Sequence, residues 1–339
     1  MPRHDQSEMM RVPYETVAGT LAALLEKLGF VPAQAALCAR LFADTTRDGV
    51  YSHGLNRFPR FVATIRNGEV DPGGRPVRVA AHGVLERWDG RRGPGNCNAV
   101  ESMDRAMTMA RQSGVGCVAL ANTTHWMRGG AYGWQAAEAG MMAICWTNTM
   151  PNLPPWGSAE NRIGNNPLVL AVPRAAGQVV LDIAMSQFSY GAVEGYRDRG
   201  EELPVYGGFD SEGRLTRDAA AIVASQRHVP IGYWKGSGLS VLLDMFAALL
   251  SGGRATYQVP PDPLREGGVS QVFLVFDPSQ FRAAAELGRM ADAIVASLGE
   301  VRYPGEQVLR TRAENLAEGL PIEEALWQRI ESGTVLGEA

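Results

Sequence analysis

The chain predicts an α/β fold in which a mixed sheet is joined to a small helical unit. Three observations support this. Apolar positions recur at helical spacing through most of the first seventy residues. From Val77 onward, short apolar stretches alternate with polar loops and helical patterns, the rhythm of helices layered on a sheet. The 39 glycines and 20 prolines among 339 residues supply the turns that such an alternation needs.

Residues 14–28 read as a helix that Gly29 ends, and Pro32 opens a second one through Thr46. A helical pattern resumes at Phe58 and runs to Asn67-Gly68, and the Gly/Pro/Asp cluster at 71–76 marks a hinge. Strand candidates at 77–80 and 84–88 precede a helix at 99–113, a strand at 116–120, a helix at 131–139 and a strand at 142–146. The stretch 148–167 is too punctuated for a core element and reads as an active-site wall or a domain connection. Strands at 168–173 and 179–183, a helix at 189–198 and a surface turn at 207–213 come next. An apolar helix at 241–250, a buried strand at 269–276 and helices at 282–298 and 322–331 complete the pattern, the last expected to return to the N-terminal helices.

Bulk properties narrow the function. The formal charge of -4, without a basic block, argues against nucleic acid as a partner. Cys38, Cys97, Cys117 and Cys145 form no CxxC pair, which sets aside a zinc site or disulfide framework and points to a reducing compartment. No apolar run reaches the ~20 residues of a membrane span, and the first ten residues lack a signal-peptide core, so a cytoplasmic protein is expected. Nucleophile-elbow, H-E-x-x-H and paired-carboxylate motifs are absent, which disfavours a hydrolase or a metalloenzyme.

The chemistry-bearing stretch is 48–60, where Ser52, His53 and Arg57 fall within six residues. Histidine passes protons near neutral pH, and arginine offers a planar fork to a carboxylate. In a helix the two would lie one turn apart, able to hold an acid and protonate the carbonyl beside it. The alternative is a polar turn with a solvated histidine and a capping arginine. His125, after a strand and beside Trp126, Arg128 close to it, and Asn166 of the long loop are further pocket candidates. His4, His82 and His228 read as structural or surface residues. The run 233–240 is either an anion cradle at a helix N-terminus or a helix entry whose glycines allow close packing.

Several blocks carry a resemblance to a known family. They are Gly49-Val-Tyr-Ser-His-Gly-Leu-Asn-Arg-Phe-Pro-Arg-Phe61, Thr124-His-Trp-Met-Arg-Gly-Gly130, Ile144-Cys-Trp-Thr-Asn148, Pro155-Trp-Gly157 and Gly232-Tyr-Trp-Lys-Gly-Ser-Gly238. In order and spacing, over nearly the whole chain, the sequence resembles the malate/L-lactate (sulfolactate) dehydrogenase family, and within it the diketogulonate branch. That family is separate from the Rossmann-fold malate and lactate dehydrogenases. The resemblance implies a non-Rossmann NAD(P)-binding mixed-sheet domain at 76–307 and a helical domain at 1–75 joined by 308–339. It implies His53 as the proton donor to a 2-oxo acid, Arg57 as the carboxylate anchor, and Ser52 and His125 lining the space between substrate and cofactor. NADH, with NADPH as the alternative, would lie along Gln178, Val179, Val180, Leu181, Asp182, Ile183 and Ala184, with Trp234, Lys235, Gly305, Glu306 and Gln307. The resemblance also implies a homodimer. Malate, lactate, ureidoglycolate or a cyclic imino acid are alternative substrates of the same chemistry, and a non-catalytic metabolite-binding protein is the alternative of another kind.

Overall fold

The computed structural model describes residues 9–337, and His4 lies outside the described residues. The chain opens with strand β1 (Met9–Val12), helices α1 (Tyr14–Lys27) and α2 (Pro32–Arg47), two 3-10 turns (Tyr51–His53 and Leu55–Arg57) and helix α3 (Phe58–Arg66). Strands β2 (Val77–His82) and β3 (Leu85–Asp89) lead to α4 (Gly95–Ser113), β4 (Val115–Thr124), α5 (Gly130–Glu138) and β5 (Met142–Thr147). After the long loop come β6 (Leu168–Val172) and β7 (Val179–Ile183). A small lobe follows: α6 (Tyr190–Arg199), β8 (Gly208–Phe209), β9 (Leu215–Thr216) and α7 (Ala219–Ser225). The chain then forms α8 (Trp234–Ser251), β10 (Gly267–Phe276), α9 (Ala284–Ala296), α10 (Glu306–Glu318), β11 (Leu320–Glu323) and α11 (Glu324–Glu331).

Seven strands make one sheet in the order β2-β3-β4-β10-β5-β6-β7. Its only parallel pair among the described residues is β3–β4; every other neighbour is antiparallel. Successive residues feed opposite faces, as the pleat requires. Val118, Cys145 and Phe273 pack under α4 and α5, whereas Ala119, Trp146 and Val272 meet Leu243 and Ala247 of α8. A separate core joins α1, α2 and α3 to the C-terminal segment, with Leu320, Ile322, Leu326, Trp327 and Ile330 among its buried residues. The β1–β11 pairing fastens the same two ends together.

Three local expectations are corrected. The segment 52–57 is not one helix but two 3-10 turns broken at Gly54, whose ψ of -133° leaves the helical region. Helix α8 begins at Trp234, seven residues before the expected Val241. The segment 320–323 is a strand rather than the start of the last helix. Helix α10 left little apolar periodicity because its only buried residue is Asn315.

Candidate active site

The loop that carries His53 is fixed by its seat on α2. The Thr46 hydroxyl accepts the Leu55 N–H at 2.9 Å. A Cβ on Gly54 would stand 2.3 Å from that same oxygen, so only glycine lets the loop approach so closely. The Ser52 hydroxyl lies 2.9 Å from His53 Nδ1, and Arg57 Nη2 lies 3.5 Å from His53 Nε2. A guanidinium can only donate, so Nε2 faces it as a lone pair and Nδ1 carries the hydrogen towards Ser52. The His53 ring stacks on His125, with centroids 5.9 Å apart and planes 21° apart. His125 Nδ1 accepts the Met127 N–H at 3.0 Å, which leaves Nε2–H as the donor of the neutral ring.

Beside this pair a cleft is lined by Arg57, Arg60, Thr64, Glu69, His125 and Glu266 among others. Arg60 and Glu266 carried no signal of their own in the sequence: one is a further arginine in the first turn of α3, the other an isolated acid before a strand. Arg60 donates to the Pro263 carbonyl at 3.2 and 2.9 Å and lies 4.0 Å from Glu266. Glu266 is 8% exposed and accepts the Met150 N–H at 3.2 Å. Two guanidinium groups and two carboxylates, Glu69 and Glu266, thus line the cleft, and Arg57 is the guanidinium within reach of His53.

Burial first, and these charges second, set the protonation states. Burial, then the charges of Arg57, Arg60 and Arg128, pushes the His53 imidazole down to about 3. Burial also pushes His125 well below its ordinary value, with Arg57 and His53 adding to it. Arg57 falls to about 10 through burial and the neighbouring Arg60, against the pull of Glu266 and Glu194. Glu266 is raised by burial, which outweighs the Met150 N–H and the arginines. The free cleft therefore holds neutral imidazoles beside a buried guanidinium.

Arg128 and Asn166 do not line this cleft. Arg128, 5% exposed, donates to Asp48 at 2.6 Å. Asp48 also receives two hydrogen bonds of 2.8 Å from Arg312 and one of 2.8 Å from Arg47. Burial alone would raise this carboxyl, but the Arg312 hydrogen bonds and the charges of Arg128 and Arg47 hold it at about 2. Asn166 accepts the Thr149 N–H at 3.0 Å and donates to Ser240, which ties the long loop to α8. Both are brackets behind the cleft.

The remaining predicted residues gather along β7, an outer strand of the sheet. Val180 N–H donates to Pro304 O at 3.0 Å, which places the 305–307 turn beside the strand. Ile231 N–H donates to Met185 O at 2.8 Å, which brings Trp234 and Lys235 to the chain just beyond it. Asp182 accepts the Gly130 N–H at 2.7 Å from the start of α5, on the path towards His125. Gly305, Glu306 and Gln307 open α10, where Glu306 pairs with Arg310 and Gln307 accepts from Arg302 at 3.0 Å. The anion cradle is not formed at 235–237: those N–H groups donate to the carbonyls of Gly232, Ile231 and Tyr233. Gly236 is there for packing, since a Cβ would stand 2.2 Å from Ile231 O.

The malate/L-lactate dehydrogenase family profile matches residues 12–331. The chain belongs to the malate/L-lactate dehydrogenase family. It is 44% identical to the 2,3-diketo-L-gulonate reductase of Citrobacter koseri over 332 residues, covering 95% of this chain and 100% of that one. The Escherichia coli reductase of the same name is 42% identical over the same span. Sulfolactate dehydrogenase from Methanocaldococcus jannaschii superposes with a TM-score of 0.89 at 25% identity, covering 97% of this chain and 98% of its own. The Δ1-piperideine-2-carboxylate reductase of Pseudomonas syringae gives 0.87 at 27%, covering 95% and 99%.

As a member of this family the protein is an oxidoreductase that uses a nicotinamide cofactor. Its residues fit such a group. Trp234 is 66% exposed with the Lys235 ammonium 5.9 Å from its ring centroid, and Lys235 forms no ion pair among the described residues. An exposed aromatic ring beside a cation without a carboxylate partner suits a ring and a phosphate. No helix among the described residues is long and apolar enough to cross a membrane.

Proposed function

We propose that this enzyme reduces a 2-oxo (diketo) sugar acid to the 2-hydroxy acid, with His53 as the general acid and Arg57 as the carboxylate anchor. The observation that carries the reading is the approach of Arg57 to within 3.5 Å of His53 beside the cleft that Arg57 and His125 line. A carboxylate received by Arg57 offsets the guanidinium repulsion that, after burial, disfavours the charged His53 imidazole. The imidazole then takes up a proton and sits beside the carbonyl next to that carboxylate. A nicotinamide held beside Trp234 and Lys235 would, when bound, supply the hydride to the carbonyl carbon. His53 gives its proton to the carbonyl oxygen as negative charge builds there, completing the alcohol. His125, donating through Nε2, orients a neighbouring oxygen of the substrate.

NADH rather than NADPH is the donor in this reading, because the Asp182 carboxylate on the cofactor edge disfavours a further phosphate. The working unit is a homodimer. Helix α8 turns Gly236, Ser240 and Ala247 inward and exposes Leu242 (53%), Phe246 (55%) and Leu249 (77%), an apolar face suited to a second copy. Four free cysteines, three of them buried, support a reducing, cytoplasmic setting. The substrate assignment rests on the 42–44% identity to 2,3-diketo-L-gulonate reductases. Following NADH absorbance over a panel of oxo acids tests it. The diketo sugar acid should give the highest kcat/KM; a higher value with pyruvate, oxaloacetate or piperideine-2-carboxylate would reassign the substrate.

A further inference from the structure

A second cavity adjoins the substrate cleft and takes no part in the chemistry above. It is lined by Arg92, Arg254 and Arg265, with Glu69, Asn122 and Gln258. Three guanidinium groups against one carboxylate make this a concentrated positive spot on a chain of formal charge -4. Its arginines are thinly satisfied. Arg92 reaches the Gly68 carbonyl and lies 3.9 Å from Glu69. Arg254 donates to Gly267 O at 3.4 Å, a long bond. The Arg265 guanidinium has no hydrogen-bond or ion-pair partner among the described residues. Glu69 lines both this cavity and the cleft that holds Arg57 and His125. Its carboxylate lies flat on the start of β10, where a Cβ on Gly267 would meet it at 1.9 Å. The two spaces therefore meet at one side chain.

We infer that the Arg92–Arg254–Arg265 cavity is a subsite for a carboxylate or phosphate next to the reductive cleft. Resting on the proposed function, in which a diketo sugar acid brings a single carboxylate to Arg57, the subsite takes a second anion: a free carboxylate or phosphate, or the far acidic end of a longer oxo acid. Converging guanidinium forks are the side chains best matched to such groups.

Inorganic phosphate is the probe, titrated into the full-length chain carrying Arg57→Ala, so that the cleft's own anchor is silent. The midpoint of thermal unfolding should rise with phosphate, as binding to the folded state requires. Adding Arg254→Ala and Arg265→Ala, both exposed positions, should weaken the apparent phosphate affinity by about tenfold or more. No rise, or a rise that survives both substitutions, overturns the subsite. This arm needs neither cofactor nor turnover, so it fails separately from the reductase reading. In the wild-type enzyme, phosphate competing with the oxo acid assigns the anion to the substrate's far end. Inhibition or activation that does not compete assigns it to a free anion.

Discussion

Two clusters only five residues apart in sequence treat charge in opposite ways. Around Asp48, one buried carboxylate receives Arg47, Arg128 and Arg312, and both its oxygens are engaged. Around His53, the Arg57 guanidinium abuts an imidazole that cannot neutralise it, while Arg60 beside it leans on the Pro263 carbonyl and Glu266. The first cluster is complete without a ligand, and the second is completed by one. A saturated buried cluster acts on stability, whereas an unsaturated one stores its imbalance for binding and proton transfer.

Each substitution below probes one side of that contrast. The largest effect is expected at His53. His53→Ala should lower kcat by ~10²–10⁴ while NADH still binds, because one proton donor is lost and no ion pair is broken; unchanged turnover would place the acid elsewhere. Asp48→Ala should instead act on the fold. Removing one partner of a buried ion pair typically costs ~3–5 kcal/mol, here by stranding Arg128, which denaturant titration would register as a lower midpoint. A loss of activity at wild-type stability would contradict the bracket role. Arg57→Ala should raise KM for the oxo acid by ~10–100-fold, on the scale of a charge-assisted hydrogen bond, with the KM for NADH nearly constant. Equal changes in both constants would mean that Arg57 supports the loop rather than the carboxylate.

How much of this could be read from sequence follows from chain separation. His53 and Arg57 were legible because one local turn brings them together, although the turn is two 3-10 segments rather than a helix. His125 stood out as a polar cluster after an apolar strand. Most strands of the sheet were legible from runs such as 269–276, whose buried character depends on composition alone. The Asp48 bracket was not legible, because it joins residues 80 and 264 positions apart and nothing local marks either partner. Arg128 and Asn166 looked like pocket residues for the same reason: their polarity is visible in the sequence and their partners are not. Helix α8 starts early because Gly236 fits against the Ile231 carbonyl, a contact that a hydrophobic pattern does not record.

The central claim is that an arriving carboxylate switches His53 from neutral to protonated. In the free enzyme its pKa, near 3, keeps it neutral at pH 7, well below the ordinary value of 6.5. Anion binding raises that pKa, so complex formation must take protons from solution. Titrating oxamate, an unreactive oxo-acid mimic, into the enzyme with bound NADH at pH 7, in two buffers of different ionisation enthalpy, measures the uptake by calorimetry. The account predicts net proton uptake by the wild type, abolished in His53→Ala. No uptake, or the same uptake in the variant, would contradict it.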